Sequence, residues 1–252
     1  MPDVTQGTVI VTGASRGIGA SIVVELARIG LHVICLSRSG DLPSAADTLD
    51  ADARNRLAAL RCDITDAAQI AGAFAAAAGR FDAPVVGLVN NAGLHLQGPT
   101  ATFPMADFER VMHTNVWSVL LASQAAYPYL CAAKSALIIN IGSFYDKLGV
   151  RGNAAYCASK AAVGAISRCL AVEWARDGIQ VANIAPGYIE TDLNASDLNA
   201  GPLREFLKKR IPVGGPGQSS DVARLAAMLF QLPGRFLTGE TIYIDGGQGM
   251  AL

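Results

Sequence analysis

The chain has 252 residues, of which 51% are apolar and 16% are charged, so it can bury a large core and disorder is not expected. Its 20 basic and 21 acidic residues nearly balance, and no Lys/Arg cluster favours binding to nucleic acid or to an anionic membrane. The length fits one α/β domain, and we expect its partners to be small molecules or further copies of the chain.

Five scattered cysteines, mostly in apolar runs, indicate reduced thiols and favour a cytoplasmic location. Residues 1–7 show no basic segment followed by a long apolar run, so we expect no signal peptide. Residues 116–133 carry no charge and are long enough to span a bilayer, but Ser118, Gln124 and Pro128 favour a buried or subunit-facing helix instead. No membrane role is expected.

Short runs of β-branched and other apolar residues alternate with helical stretches along the chain. This alternation predicts an α/β fold, a doubly wound parallel sheet of seven strands with helices on both faces, in a single domain over residues 1–252. Segment 189–217 has weak periodicity and several prolines and glycines, which predicts an irregular lobe, with a short helix near 203–209, that covers a site. The predicted strands are 8–11, 32–36, 57–62, 85–89, 136–141, 180–184 and 241–244, and the predicted helices are 17–29, 67–78, 105–131, 155–176 and 220–231.

A glycine-rich turn, residues 12–19, connects the first predicted strand directly to a helix. Glycines let the backbone turn tightly and approach a pyrophosphate, which the amides and dipole of the helix N-terminus stabilise. A structural turn is the alternative, and the spacing G-x-x-x-G-x-G differs from the commoner G-x-G-x-x-G, but the position in the first βα unit favours phosphate binding. The predicted cofactor residues here are Gly13, Ser15, Arg16, Gly17, Ile18 and Gly19.

The second predicted strand ends at Ser37 and Arg38. A dinucleotide fold that selects NAD has a carboxylate at this place, which accepts a hydrogen bond from the ribose 2′-hydroxyl. Arg38 offers a guanidinium suited to a 2′-phosphate instead, and Arg16 adds a second cation. The alternative is that both arginines are solvated loop residues. The absence of an acid at the end of the second strand and the presence of Arg38 there agree, however, and together they predict NADP(H).

Four further strands also end in polar or glycine-rich residues, at 62–64, 90–93, 142–143 and 186–187. Each alone is explained by a turn or a helix cap. The carboxyl ends of parallel strands, however, form one edge of the sheet, where ligands bind. Their shared position therefore predicts a binding site.

Tyr156 and Lys160 stand four residues apart on a predicted helix, so the phenol and the ammonium share one face. A phenol titrates near pH 10, and a nearby cation lowers that pKa by about one to three units. The pair is also an ordinary feature of helix surfaces, so in isolation it does not decide the function.

Taken together, the glycine turn, residues 90–93, Asn115, Ser143, Tyr156 with Lys160, and residues 186–187 resemble the short-chain dehydrogenase/reductase family, in the branch whose chains have about this length. The six motifs occur in the family's order, and the resemblance extends from Thr8 to residues 245–247. It implies a Rossmann fold and a nicotinamide-dependent oxidoreductase that moves a hydride between the cofactor and a carbonyl or alcohol carbon.

The resemblance implies a role for each catalytic residue. Tyr156 is the general acid in reduction and the base in oxidation, while Ser143 polarises the substrate oxygen. Lys160 holds the nicotinamide ribose and lowers the phenol pKa. Asn115 anchors a water that links Lys160 to solvent as a proton relay.

The resemblance also extends the set of cofactor contacts. Asp63 accepts from the adenine amino group with Ile64 beside it, and Asn90 and Gly93 line the adenosine ribose. Thr191 bonds the nicotinamide carboxamide. The remaining predicted cofactor residues are Ser37, Arg38, Ala92, Pro186, Gly187 and Ile189, besides Tyr156 and Lys160 themselves.

His95, Tyr145 and the lobe after Thr191 are expected to face a small carbonyl or alcohol substrate, with loop packing as the alternative for the two side chains. No metal is expected, because the three histidines lie in no ligand-spaced cluster.

Two enzymatic alternatives stay open, a sugar or polyol dehydrogenase and a 3-oxoacyl-acyl-carrier-protein reductase. The second would need a basic patch to bind an acidic acyl carrier protein, whereas residues 174–178 carry both a basic and an acidic side chain. A protein that only senses NADP(H) is disfavoured, because all four catalytic positions are kept.

A homotetramer is predicted from two helices. The uncharged helix of residues 115–133 is too apolar around its circumference for a monomer surface. The helix that carries Tyr156 has small residues on several sides, which allow close approach of a symmetry mate.

Overall fold

Seven parallel strands form one sheet in the computed structural model, which describes residues 7–191, 201–234 and 236–250. They are β1 (Thr8–Thr12), β2 (His32–Ser37), β3 (Leu57–Arg61), β4 (Val85–Asn90), β5 (Ala136–Ile141), β6 (Ile179–Pro186) and β9 (Thr241–Ile244). Their order is β3-β2-β1-β4-β5-β6-β9, so the chain first builds outward from β1 and then reverses at β4. The central strands are apolar without alternation because both of their faces are buried.

Helices cover both faces of this sheet, which confirms the doubly wound fold. On one face α1 and α8 pack together over buried side chains such as Leu26 and Phe230. On the other face α3, α5 and α6 cover a second cluster that includes Phe74 and Leu130. Within the described ranges, no helix has the length and apolarity needed to cross a membrane. The helices are α1 (Gly17–Arg28), α2 (Ala51–Arg54), α3 (Ala67–Ala78), α4 (Met105–Met112), α5 (Ser118–Ala133), α6 (Ala154–Trp174), α7 (Gly201–Arg210) and α8 (Ser219–Gln231).

The predicted helix 105–131 is not uniform. A π-helical turn, His113–Trp117, separates α4 from α5 without breaking the path of the chain. The Ser118 hydroxyl donates to the Thr114 carbonyl at 2.5 Å just after it. Such turns accommodate one extra residue and are frequent at functional sites, and this one carries the buried Asn115.

The predicted irregular lobe contains a two-stranded parallel ladder, β7 (Ile189–Glu190) with β8 (Gly217–Gln218), in addition to α7. The expected short helix near 203–209 falls inside α7. Residues 192–200 of the lobe lie outside the described residues. The ladder fixes both ends of the lobe to each other next to β6.

Three asparagines form a row across the centre of the sheet, because Asn90, Asn140 and Asn183 pair in register on β4, β5 and β6. All three are buried. Asn90 Nδ2 donates to Asn140 Oδ1 at 2.9 Å, and Asn140 Nδ2 donates to Ser167 Oγ of α6 at 2.8 Å. The bond from Asn140 to Ser167 holds α6 against the sheet just below its carboxyl edge, while Asn183 Oδ1 has no hydrogen-bond partner among the described residues.

Candidate active site

The site lies where the strand order reverses between β1 and β4, and these two strand ends are joined directly. The Thr12 hydroxyl accepts from the amides of Asn91 and Ala92 at 3.1 and 3.2 Å. Asn91 Nδ2 in turn donates to the carbonyls of Thr12 and Gly13 at 3.1 and 3.0 Å. Open α/β sheets bind their ligands at such a switch point.

The glycine turn has the backbone that its sequence predicts. Gly13 and Gly17 have φ of +65° and +58°, a region that side chains disfavour. A Cβ on Gly13 would lie 2.7 Å from Ala92 Cα, and one on Gly19 would collide with the Gly13 carbonyl. The N-cap Arg16 offers no side-chain oxygen and the first turn of α1 has no acid, so the amides remain available to a phosphate.

The segment after β6 closes over this turn from the other side. Gly187 donates its amide to the Ile244 carbonyl at 3.0 Å, and a Cβ there would lie 2.7 Å from Asp245 Cα. The chain then brings the methyl group of Thr191 to 3.5 Å from the place where a Cβ on Gly17 would stand. Thr191 therefore lies against the glycine turn, although the two are far apart in sequence.

The ends of β2 and β3 form one corner of the site. The Cys62 amide donates to the Ser37 carbonyl at 2.8 Å, and the Ser37 hydroxyl accepts from the Gly40 amide at 3.1 Å. Two hydrogen bonds from Thr65 to Asp63 lower the pKa of that carboxyl, and the charge of Arg38 adds to the lowering. Arg38 is exposed at this corner, so its guanidinium is open to an anion.

One predicted cofactor residue does not present its side chain to this edge. Asn90 is buried, and its amide bonds Asn140 and Ser123 inside the core. The other predicted residues lie in the glycine turn or in the strand-end loops along this edge: Gly13, Ser15, Arg16, Gly17, Ile18, Gly19, Ser37, Arg38, Asp63, Ile64, Ala92, Gly93, Pro186, Gly187, Ile189 and Thr191.

Tyr156, Ser143 and Lys160 meet at the carboxyl end of β5. Lys160 is buried on α6, and its Nζ donates to the Ile141 carbonyl at 2.8 Å and lies 5.5 Å from the centre of the Tyr156 ring. The Ser143 hydroxyl accepts from the Tyr145 amide at 3.2 Å and also bonds the Tyr156 phenol.

Burial controls the protonation of both groups. It raises the pKa of Tyr156 to about 12, against the opposing effect of the Ser143 hydrogen bond, and it lowers the pKa of Lys160 to about 8. The expected lowering of the phenol pKa by Lys160 is therefore not what the structure shows. The reason is geometric, because the ammonium is bonded to the Ile141 carbonyl and both groups are removed from water.

Asn115 connects this centre to the loop after β4. Its Oδ1 accepts from the Leu94 amide at 2.7 Å, and its Nδ2 donates to the Leu94 carbonyl at 2.9 Å and to Ser159 Oγ at 3.0 Å. A Cβ on Gly93 would lie 3.5 Å from Asn115 Oδ1 and 3.8 Å from Lys160 Nζ. Asn115, Gly93 and Lys160 are thus neighbours, as their predicted roles require.

Aromatic side chains surround Tyr156. The ring of His95 lies 4.5 Å from that of Tyr156 between centres, and the ring of Tyr145 stands edge-on to it at 5.8 Å. The Tyr145 hydroxyl is 3.0 Å from that of Tyr188, and His95 Nε2 is 2.5 Å from Asn153 Oδ1. Tyr188 and Asn153 were missed by sequence reasoning, although one directly follows Pro-Gly at a strand end and the other comes three residues before Tyr156.

Comparison with known proteins decides the family. Residues 13–248 match the family model described as enoyl-(acyl carrier protein) reductase. Over 98% of this chain and 96% of the other, the structure superposes with a TM-score of 0.87 on a short-chain type dehydrogenase/reductase from Mycobacterium marinum, at 29% identity. The chain belongs to the short-chain dehydrogenase/reductase family.

Two relatives within this family are gluconate 5-dehydrogenases. One, from Gluconobacter oxydans strain 621H, is 32% identical over 244 residues, which are 96% of this chain and 94% of that protein. The other, from Burkholderia cenocepacia J2315, was crystallised in complex with NADP and tartrate. It shares 30% identity and a TM-score of 0.88, with 99% of each chain covered.

This family member has a cleft beside the start of α6. A cavity of about 910 Å³ lies between loop residues 97–101 and 149–152, with Ala154 and Cys157 on its inner wall. The Gly98 amide donates to the Gly152 carbonyl at 2.9 Å, which joins the two loops. Arg151 is the one charged side chain in the described lining. The volume is in the range of small-molecule sites.

The donors around Tyr156 are hydroxyl, amide, imidazole and ammonium groups. Among the residues that the structure describes, no group of three His, Cys, Asp or Glu side chains is arranged to hold a metal.

Proposed function

We propose that this protein is an NADP(H)-dependent oxidoreductase that transfers a hydride between the nicotinamide and the carbon of a carbonyl or secondary alcohol. The observation that carries this proposal is the convergence of Tyr156, Ser143 and Lys160 beside a glycine turn that leaves helix amides open to a phosphate. Membership of the family supports it.

Each catalytic side chain has one task in this reaction. The nicotinamide, when bound, supplies or takes the hydride. In reduction Tyr156 gives its phenolic proton to the substrate oxygen, and Ser143 donates a hydrogen bond to the same oxygen. The raised pKa of Tyr156 keeps the phenol protonated at neutral pH, which is the form that reduction needs.

Lys160 and Asn115 support this centre. We infer that Lys160 holds the nicotinamide ribose, and that its nearness to Asn115 lets a proton pass through a water to Tyr156 after turnover. The lowered pKa of Lys160 fits such a relay, because an ammonium with a pKa of about 8 gives up and regains a proton near neutral pH.

The cofactor preference follows from the corner between β2 and β3. Arg38 stands exposed where an NAD-selective fold has an acid, and Arg16 lies at the N-cap of α1. Two cations and no carboxylate at the end of β2 favour a 2′-phosphate. The NADP complex of the relative from Burkholderia cenocepacia supports the same choice.

A sugar acid or polyol is the substrate class that we favour. The gluconate 5-dehydrogenase relatives support it. An acyl-carrier protein would need a basic docking patch. Arg176 and Asp177, just after α6, offset each other. Lys208, Lys209 and Arg210, however, end α7 together, so an acyl-carrier-protein substrate is the second candidate.

The proposal is tested by replacing Tyr156→Phe, which removes the proton donor and keeps the ring. Turnover should fall by at least about 10²-fold, the lower bound of typical general acid catalysis, while NADPH affinity stays unchanged. Turnover is measured as NADPH oxidation over a panel of keto sugar acids, simple ketones and acyl thioesters. NADPH affinity is measured by fluorescence titration of the cofactor. Tyr129→Phe, on the outer part of α5, is the matched control. A Tyr156→Phe variant that keeps a tenth of the wild-type rate would show that another group supplies the proton.

We also infer that the protein assembles as a homotetramer through α5 and α6. Trp117, Leu120 and Val172 expose 62%, 39% and 81% of their surface, although they belong to this helical pair or its π turn. Small exposed residues of α6 such as Ala161 and Ala165 allow a symmetry mate to approach closely. Exposed apolar side chains of this kind indicate a face that a partner covers.

We place the protein in the cytoplasm on account of its thiols. All five cysteines, each within the described residues, are free. Burial raises the pKa of Cys35 to about 12 and that of Cys62 to about 11, so these two thiols stay protonated and inert. Free thiols are typical of a reducing compartment.

A further inference from the structure

Asn153 is a buried polar residue close to Tyr156 that the proposed reaction does not use. It is 5% exposed and stands at the N-cap position of α6, but its side chain does not cap that helix. Its Nδ2 donates to the Arg151 carbonyl at 3.0 Å, and its Oδ1 lies 2.5 Å from His95 Nε2. The residue type that usually caps a helix is thus used to hold a histidine.

These contacts fix the proton on His95. Because the Arg151 carbonyl can only accept, it orients the Asn153 amide so that Oδ1, also an acceptor, faces Nε2. Nε2 must then carry the hydrogen, and in the neutral imidazole Nδ1 keeps its lone pair. Within the described part of the chain, Nδ1 has no hydrogen-bond partner.

His95 lies next to Tyr156, where the lone pair of its Nδ1 atom is available to a substrate. The ring packs against Tyr156, with 4.5 Å between centres, while the side chain is exposed. Tyr145 stands edge-on to Tyr156 at 5.8 Å between ring centres, and burial raises the pKa of Tyr145, so its hydroxyl stays protonated. The exposed His95 ring is therefore a neighbour of any substrate whose oxygen meets the Tyr156 phenol.

We propose that Asn153 and His95 form a specificity pair that selects a substrate with a hydroxyl group on the carbon next to the reacting carbon. The inference rests on the proposed function of Tyr156. His95 Nδ1 accepts the hydrogen of that hydroxyl, and Asn153 is the positioning residue that keeps Nδ1 an acceptor. A second carbonyl at the same place has no hydrogen to donate and is disfavoured, and a methylene makes no bond.

Three four-carbon probes test the pair, namely 3-hydroxy-2-butanone, 2-butanone and 2,3-butanedione. KM and kcat are measured with NADPH for each probe that is reduced, and a probe that is not reduced is measured as a competitive inhibitor. In Tyr156→Phe, which should not turn over, ligand-observed NMR titration of the cofactor complex gives the dissociation constants directly. The wild type should bind the hydroxyketone about fivefold more tightly than 2-butanone, the effect of one net hydrogen bond. His95→Phe, which keeps a ring against Tyr156, should bind both probes about equally.

Asn153→Leu removes the acceptor and tests the positioning role. It should reduce the preference for the hydroxyketone through KM, while kcat with 2-butanone changes by less than about twofold. If this buried substitution prevents folding, His95→Phe alone decides. A preference that is absent in the wild type, or equal in the wild type and His95→Phe, overturns the proposal.

The same titrations in Tyr156→Phe separate this inference from the proposed function. A lost hydroxyl preference in His95→Phe, with turnover intact in the wild type and lost in Tyr156→Phe, supports both. Turnover lost in Tyr156→Phe with no effect of His95→Phe leaves the proposed function standing and refutes the specificity pair.

Discussion

Lys160→Met should change how the stability of the protein depends on pH. Lys160 is buried, and its pKa falls from 10.5 to about 8 because the folded protein removes the ammonium from water. The unfolded chain therefore binds more protons than the folded one between pH 8 and pH 10.5. As the pH rises through that window, the burial cost of the ammonium disappears and the wild type gains stability relative to the variant.

The size of this gain follows from the two pKa values. Each unit of pKa difference corresponds to about 1.4 kcal/mol, so the full effect is about 3 kcal/mol. Integration of the linkage relation places most of it, about 2 to 3 kcal/mol, between pH 7 and pH 10. Methionine keeps the length and apolar volume of the stem but does not titrate, so subtracting the two proteins cancels the other ionisable groups.

Urea denaturation of the cofactor-free protein at pH 7, 8, 9 and 10, at one fixed protein concentration, measures the effect as a difference in unfolding free energy. Lys209→Met is the matched control, because Lys209 is exposed on α7. A difference between wild type and Lys160→Met that stays constant within about 0.5 kcal/mol over this range would refute the reasoning, since it would mean that the ammonium remains hydrated.

Three further outcomes are expected. Arg38→Asp should raise the Michaelis constant for NADP(H) at least about tenfold, because a charge-assisted phosphate contact is lost, and equal wild-type efficiency with NAD(H) and NADP(H) would contradict the assignment. Gly19→Ala should weaken cofactor binding at least about tenfold in a fluorescence titration, because its Cβ would collide with the Gly13 carbonyl, and unchanged affinity would mean that the turn yields. Sedimentation velocity at micromolar concentration should give four times the monomer mass, and Trp117→Lys should shift the distribution to smaller species, whereas a monomeric wild type would refute the α5–α6 interface.

The sheet was predictable because its strands are short apolar runs that alternate with longer helical stretches. Predicted and observed strands agree within about two residues at either end, and β5 and β9 agree at both ends. The two-residue strands β7 and β8 were not predicted, since their pairing depends on contacts between distant segments. The π turn also had no signal, because Asn115 bonds the backbone of Leu94 only after the fold has formed.

The candidate site was partly predictable for a related reason. Strand ends meet at one edge in any parallel sheet, so the glycine turn and Ser143 could be placed there from the sequence. Tyr188 and Asn153 could not be placed there, because each is identified only by a contact with a residue that is distant in sequence. Tyr188 contacts Tyr145, and Asn153 contacts His95. The protonation of Tyr156 was also missed, since spacing along a helix reveals a neighbour but not the loss of water around it.

The π turn contains one residue more than a regular helix would need to join α4 to α5. Deleting one residue from His113–Trp117 would let the chain close into a regular α-helix while α4 and α5 keep their faces, because the wider turn already offsets the extra residue. Ala126 and Leu130 would stay in the core, but the wide turn that holds Asn115 against the Leu94 backbone would be lost. Removing the exposed Trp117 should therefore reduce the rate of NADPH oxidation far more than it reduces the free energy of unfolding.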